Sequence, residues 1–592
     1  MLVYGDAIRR ETVAQKIGAV RHYLSEAASA EPWIAAHGLL VAALIETGEL
    51  AQGLADRAFE AHGRQDAPFH ESDAAMSLTL ALAEAVGLSW SERRICTEPA
   101  LAAIAAVEAC AKGGDLTVKL PEGFAHYALY PETYYEAARS LAGRDLSVIG
   151  IRSIGTTLAG MVAAGAGARC PQTVRPVGHP FDRSLALAKP LAFPGGTEVA
   201  IVDEGPGLSG SSITAVATEL RAVGIERERV HVFPSHANGL GPQASEAVRS
   251  FWETAQLHLR TFDDAILTGG ERGLVSWVAD LTGEPVGDLR EITGGAWRGT
   301  RGWHGDLPPV HPWQEKRKFL LESRSGTWLL KFAGLGRIGL EKLARAEALA
   351  EAGFAPKPLG FRHGFIVERW HGDARPLDAS GPERQRFLAH LGDYLGFRSR
   401  NFASDAATGA SSQQLFDMLH VNAEEEFGPE RARHSTAWRP FLVRLHAKVR
   451  RIETDNRLHA WEWLVLPDGR FLKADAVDHH AAHDLVGCQD IAWDIAGASI
   501  EFTLTAGERQ DLISRIEQVG GFVVDRAQVR FATRCYPAFQ LGYYREAAAS
   551  TKDADEAGRL RAAAERYASY LSKLLASDAE PDAFPAGFEK KE

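Results

Sequence analysis

The chain has 592 residues, room for about two to four domains. Its composition, 45% hydrophobic and 24% charged, is that of a globular protein, and a formal net charge of −12 excludes the broad basic surface of a general nucleic-acid binder. Its cysteines, Cys96, Cys110, Cys170, Cys488 and Cys535, are odd in number and lack metal-ligand spacing, so reduced thiols are expected rather than a disulfide framework.

The N-terminus has no apolar signal core, and no uninterrupted apolar run approaches a membrane span, so a cytoplasmic protein without membrane contact is expected. Residues 1–112 read as a helical preface or docking region. Leu39, Leu40, Ala43, Leu44, Leu50 and Leu54 recur at three and four, and Ala74–Val86 repeats the pattern. From residue 113 the pattern changes. Leu116–Leu120 alternates like a strand, and Pro131–Leu141 reads as a helix. Leu146–Ile151 is a buried strand, followed by Arg152-Ser153-Ile154-Gly155-Thr156-Thr157 at a helix start. Gln172–Ser184 is a strand entering a polar loop that carries Arg175, His179, Asp182 and Arg183.

Val199–Val202 is the strand around which the chain is organised. Asp203 and Glu204 follow it, then a run of small residues and a helix from Ile213. Backbone N–H groups of such a loop wrap an anion, and the helix dipole favours the negative charge. Carboxylates at the strand end accept hydrogen bonds from vicinal hydroxyls or hold Mg2+ through water. Val230–Pro234 is the next strand. His236 and Asn238 stand at its end as candidate acceptor-binding residues.

Residues 113–289 thus resemble a type I phosphoribosyltransferase, with the acidic pair and loop resembling that family's 5-phosphoribosyl-1-pyrophosphate (PRPP) motif. The resemblance implies a doubly wound parallel sheet, Mg2+ as cofactor and PRPP as substrate. It gives Asp203 and Glu204 the metal and the ribose, and gives Gly207, Leu208, Ser209, Gly210, Ser211 and Ser212 the 5'-phosphate. It gives Arg152, Ser153, Gly155, Thr156 and Thr157 the pyrophosphate, with Arg175 and Arg183 as cations for the leaving group. The loop departs from the family form: Ser-Gly-Ser-Ser stands where Thr-Gly-Gly-Thr is common, and one residue is added.

Residues 290–315 mix Gly, Pro and Trp and read as an ordered linker. In 316–577, Lys318–Ser323 and Gly326–Phe332 form a hairpin, Leu340–Ala352 a helix, Gly364–Trp370 a strand, and Leu464–Asp475 a tight hairpin. This order resembles the aminoglycoside-phosphotransferase branch of the protein-kinase fold, a bilobal α+β architecture. The resemblance implies that Lys331 meets nucleotide phosphates, with Glu347 as its partner. It makes Val367, Glu368 and Arg369 the hinge beside adenine, Asp475 a metal ligand, and Asp490 or Asp494 a structural acid. ATP is the implied nucleotide. The catalytic loop departs from the family. Counting back from the hairpin puts Leu458 at the base and Trp463 at the second metal ligand, and Asp455, His459 or Glu462 substitute only if the loop shifts register. The cluster His479-His480-Ala481-Ala482-His483-Asp484 reads as a metal site or as polar loop residues. Residues 578–592 form a tail.

The leading expectation is an α/β protein with a Mg2+-dependent phosphoribosyltransferase half that forms a nucleotide-like product, joined to a nucleotide-binding kinase-like half. The alternatives are a PRPP or nucleotide sensor with a pseudokinase half, and a small-molecule kinase carrying an inactive transferase scaffold. Small molecules are the expected partners, and a homodimer is left open.

Overall fold

A computed structural model describes residue 2 and residues 8–111, 113–207, 209–237, 239–241, 244–300, 307–311, 314–405, 408–481 and 486–576. Four helices open the chain, α1 (Val13–Ala27), α2 (Trp33–Ala61), α3 (His70–Glu92) and α4 (Glu98–Cys110). Thr12 and Gln15 close a capping box at the start of α1, each side chain accepting from the other's backbone N–H. The predicted stripe on α2 is core: Leu40, Leu44, Leu50 and Leu54 are fully buried. By length and composition α2 and α3 pass the test for a membrane span, yet 83% and 61% of their most apolar windows is buried inside this fold, as in core helices.

The strand expected near residue 116 is present but does not join the parallel sheet. β1 (Ile8–Thr12) and β2 (Asp115–Lys119) form an antiparallel pair of their own. The reason is packing: Leu116 and Val118 turn to α2, and a Cβ on Gly53 of α2 would lie 3.1 Å from Leu116. Two short helices follow, α5 (Glu122–His126) and α6 (Pro131–Ala138).

The parallel sheet runs through β3 (Leu146–Ile151), α7 (Gly155–Ala166) and β4 (Gln172–Val174). A hairpin, β5 (Pro176–His179) and β6 (Asp182–Leu185), stands where a polar loop was expected. Then come β7 (Glu198–Val202), α8 (Ser211–Ala222), β8 (Val230–Phe233), α9 (Glu246–Thr254) and β9 (Gln256–Leu257). The spatial order is β4-β3-β7-β8-β9, all parallel. Strand alternation divides the side chains between two faces. Val148, Ala200, Val202 and Phe233 face the N-terminal helices, while Ile149, Ile151, Val199, Ile201 and Val232 face α8. The order reverses between β3 and β7, and ligands in open parallel sheets bind beyond the strand ends at such a switch point.

After α10 (Leu274–Thr282), a five-stranded antiparallel sheet forms from β10 (Arg290–Glu291), β11 (Lys318–Ser323) and β12 (Gly326–Phe332). Helix α11 (Gly336–Glu351), β13 (Pro358–Arg362) and β14 (Phe365–Arg369) complete it, in the order β10-β11-β12-β14-β13. The predicted hairpin has Lys318 opposite Lys331 and Ser323 opposite Gly326. A small sheet, β15 (Arg375–Pro376), β16 (Trp463–Val465) and β17 (Phe471–Lys473), sits beside α12 (Arg384–Asn401). Later helices, among them Ser412–Phe427, Ala492–Glu501, Arg526–Ser550 and Ala554–Ala576, surround a second core.

The N-terminal helices are not a detached preface. One hydrophobic cluster runs from α1–α4 through α6 and α7 to Phe319, Leu330, Phe332 and Phe365 of the antiparallel sheet. The helices therefore lie between the two sheets. The segment expected to be an ordered linker is likewise tied down: Arg298 Nη1 is 2.8 Å from Glu556 Oε2, and Val310 N–H donates to Glu556 Oε1 at 2.7 Å. Of its residues, 301–306 and 312–313 lie outside the described chain.

Candidate functional sites

The first site lies beyond the carboxyl ends of β3 and β4. Two glycines shape it. A Cβ on Gly150 would come within 2.4 Å of Gly155 O, and one on Gly155 within 2.7 Å of Val202 O, so the turn after β3 folds tightly back on the sheet. Arg152 and Ser153 emerge there beside a cavity of about 800 Å³. Arg57, Arg64, Lys119, Arg175 and Arg183 add cations to its wall against the carboxylates of Asp56, Glu60 and Asp115. That balance suits a polyanionic ligand.

Arg57 is already paired with Glu71 at 2.6 Å, and Arg152 and Arg175 are engaged by Asp56 and Asp66. Arg152 Nε is 3.0 Å from Asp56 Oδ1, and its Nη2 pairs with Asp66. Arg175 donates through Nε to Asp56 Oδ1 at 2.9 Å, through Nη1 to Arg152 O at 2.8 Å, and through its backbone N–H to Asp66 Oδ2 at 2.7 Å. Asp56 lies on α2, so the N-terminal helices supply one wall of this cavity. Sequence reading found no site residue there. The available signal was a carboxylate in a strongly apolar helix. Arg183 lines the cavity from β6.

The remaining predicted residues divide. Gly155, Thr156 and Thr157 are buried inside α7, with Thr157 against Gly48 of α2, and do not line the cavity; of the turn expected to hold pyrophosphate, only Arg152 and Ser153 line it. Gly210, at φ +64, precedes α8. The hydroxyls of Ser209 and Ser211 are 3.0 Å apart, Ser211 N–H donates to Ser209 Oγ at 3.3 Å, and Ser211 Oγ donates to Pro180 O at 2.7 Å. The cradle is thus partly closed by its own side chains and the hairpin, while Ser212 lines the cavity and Gly207 is exposed. Leu208 and Asn238 lie outside the described residues.

Asp203 and Glu204 are half-buried and do not line that cavity. Asp203 O accepts from Tyr134 OH at 2.8 Å, and its Oδ1 from Glu204 N–H at 2.8 Å. Glu204 Oε1 lies against α5, 2.8 Å from where a Cβ on Gly123 would stand. His236 approaches Gly205, and burial lowers its pKa. Burial pushes the Asp203 carboxyl up to about 7, against the pull of the Glu204 N–H and the Arg175 charge. An acid raised in the folded state favours folding only while protonated. That contribution is intact below about pH 4 and is lost as pH rises through about 7. Asp203→Asn is therefore expected to raise the thermal midpoint at pH 8 and leave it unchanged near pH 4. Equal shifts at both pH values in thermal denaturation would refute the burial account.

The second site lies between the antiparallel sheet and the later helices, around a cavity of about 160 Å³. Lys331, buried on β12, pairs with Asp475 just after β17. Burial alone would lower its pKa, but the carboxylates of Asp475, Asp478 and Glu368 raise it. The predicted partner Glu347 is corrected: it is exposed on α11. Its helix turns Lys342 and Arg345 inward instead, at the buried three- and four-residue spacing. Lys342 and Lys316 meet Asp478 Oδ2 at 3.1 and 2.7 Å. Burial lowers Lys342 to about 7 despite Asp478. The residues expected to form the hinge do not line the cavity. Val367 and Glu368 are buried in β14, Arg369 is exposed, and Leu329 and Trp370 line the cavity. Burial raises Glu368 to about 7.

The loop before β16 settles its own register. Asp494 accepts from the backbone N–H groups of Asp455 and Asn456 at 2.8 and 2.9 Å, which makes it the structural acid of the pair proposed. Asp490 instead caps Ala492 at 3.0 Å and holds Arg450 N–H at 3.0 Å. Asn456, at φ +64, turns the chain so that Arg457 and Glu462 reach the cavity. Leu458 and Trp463, the counted positions, are core residues. Count and fold differ by one residue because the turn at Asn456 and the Asp494 anchor, not distance from the hairpin, set the register. Asp455 is fully buried among Lys473, Tyr394 and His479, and His459 bonds Glu501 at 3.1 Å; neither lines the cavity.

Arg457 lines the cavity beside Glu462, Asp475 and His479, its guanidinium donating to Tyr543 OH. Glu462, Asp475 and His479 bring their ligand atoms within 4.8 Å of one another. Two carboxylates with a nearby lysine suit a hard divalent cation shared with phosphate oxygens, which fits Mg2+. Of the histidine cluster, His479 faces this site and His480 is buried, while His483 and Asp484 lie outside the described residues.

No family model matches this chain, and no curated protein matches it. Solved structures do. A choline kinase from Streptococcus pneumoniae is 16% identical, covers 51% of this chain and 100% of its own, and superposes with a TM-score of 0.34. A spectinomycin phosphotransferase in complex with ADP and spectinomycin is 11% identical over 52% of this chain and 97% of its own, TM-score 0.34. A choline/ethanolamine kinase family protein from Mesorhizobium loti is 17% identical over 48% and 96%, TM-score 0.30. At these scores the likeness carries no weight for activity.

Proposed function

We propose that the chain is a nucleotide-using phosphotransferase for a small molecule, with its chemistry in the second cavity. The observation that carries this reading is the convergence of Lys331, Asp475, Glu462 and His479 on one small cleft between sheet and helices. Lys331 would meet the nucleotide phosphates, and Glu462 and Asp475 would hold Mg2+, which neutralises charge on the transferring group. Phosphoryl transfer needs positioning and electrostatics more than covalent help from the protein. A chain with Arg457 at the cleft retains both, and its guanidinium would orient the acceptor. Labelled ATP with Mg2+ and a panel of small-molecule acceptors tests the reading. Mg2+-dependent label transfer is the expected result. Tight binding without transfer makes the second half a nucleotide sensor, and absence of Mg2+-dependent nucleotide binding refutes the proposal.

A second reading keeps the first half as a PRPP-using transferase. It is favoured by the cation-rich cavity at the switch point between β3 and β7, of a size for a phosphorylated sugar. Two observations weigh against it: the acids do not line that cavity, and Ser211 is committed to Pro180. Pyrophosphate release from PRPP over a nucleobase panel decides it.

A further inference from the structure

Away from both cavities, three side chains from distant parts of the chain meet in the core. His37 comes from α2, Glu132 from α6, and His363 from the turn between β13 and β14. Their side chains are 0%, 0% and 1% exposed. Both Nε2 atoms lie 2.7 Å from the same oxygen, Glu132 Oε1. The other oxygen, Glu132 Oε2, is buried with no hydrogen-bond partner among the described residues.

We propose that His37, Glu132 and His363 form a structural zinc site. A buried carboxylate with an orphan oxygen carries a desolvation penalty, and a cation between the three groups removes it. Two imidazoles and a carboxylate with no thiolate form a donor set that zinc uses. Glu132 Oε2 chelates beside Oε1 and completes a distorted four-coordinate shell without water. Bonds of about 2 Å at tetrahedral angles put an imidazole nitrogen about 3.3 Å from Oε1, so each nitrogen needs to back away by only ~0.6 Å. His37 is already oriented as a ligand: its Nδ1 is 2.8 Å from Ser89 Oγ, which leaves Nε2 to face the site. Trp33, Trp90, Tyr130 and Trp277 pack against the two histidine rings and exclude water. The ion would pin α2 and α6 to the antiparallel sheet at the joint between the two halves.

The full-length chain, loaded with excess zinc chloride and dialysed against a weak chelator, is expected to retain one zinc per chain by elemental analysis. Glu132→Gln is expected to lose it, and His479→Gln, in the second cavity, to keep it. Should Glu132→Gln fail to fold, cobalt in the unmodified chain reads the geometry, and strong visible bands of a tetrahedral site are expected. Background zinc in the unmodified chain, retention by folded Glu132→Gln, loss in His479→Gln alone, or the weak bands of octahedral cobalt would each overturn the site.

Discussion

Lys331→Met is expected to weaken Mg2+-nucleotide binding by about 10- to 100-fold, the value of one charge-assisted contact of about 1.5–3 kcal/mol. Lys331 is the buried cation paired with Asp475, and Asp478 and Glu368 also act on its charge. Removing it leaves adjoining carboxylates to repel the phosphates as well as taking away a donor. Asp475→Asn is expected to lose binding together with its Mg2+ dependence, because a neutral amide keeps the shape but not the charge that a hard cation requires. Glu347→Gln is the control. Its side chain is exposed, so affinity should not change. Titration calorimetry with Mg2+-ATP measures all three. A Glu347→Gln loss comparable to that of Lys331→Met would restore the partner assignment that the fold corrected.

Arg398→Met is expected to destabilise the chain by about 3–5 kcal/mol, among the largest effects of any single substitution here. Arg398 is fully buried on α12. It donates to Glu453 O at 3.1 and 2.6 Å, to Thr454 O at 3.2 Å, to Ala476 O at 2.7 Å and to Tyr394 OH at 2.9 Å. One guanidinium thus joins the segment leading to Arg457 to the segment leaving Asp475, the two walls of the second cavity. A methionine fills the volume and leaves those carbonyls without donors. Arg398→Lys should recover little, because a point charge cannot span the fork of acceptors. Urea unfolding followed by circular dichroism measures the loss, and nucleotide titration of the folded fraction measures its effect on the cleft. A change under about 1 kcal/mol would mean that water replaces the fork without penalty.

These two substitutions mark where sequence reading succeeded and where it stopped. The strands Leu146–Ile151, Glu198–Val202 and Val230–Phe233, and the hairpin of Lys318–Ser323 with Gly326–Phe332, were legible because short apolar runs and turn residues are local properties. Lys331 and Asp475 could be named, but their pairing could not. A lysine on an apolar strand requires a counter-charge, and Glu347 was a reasonable one until α11 turned Lys342 and Arg345 inward. Counting pointed to Leu458 and Trp463, which are core, while Arg457 and Glu462 line the cavity, because the left-handed turn at Asn456 and the Asp494 anchor leave no countable trace in the sequence.

What the sequence determined by itself was the principal helices and strands, the polar turn after β3, the acidic pair after β7 and the lysine strand. Each follows from neighbours along the chain, through backbone propensity and side-chain period. Tertiary packing alone decided that α2 supplies Asp56 to Arg152 and Arg175, that β2 leaves the parallel sheet for β1, and that His37, Glu132 and His363 share one point in the core. A buried charge is satisfied by whatever group the fold brings within about 3 Å, and that group comes from a segment whose distance in sequence carries no information about its distance in space.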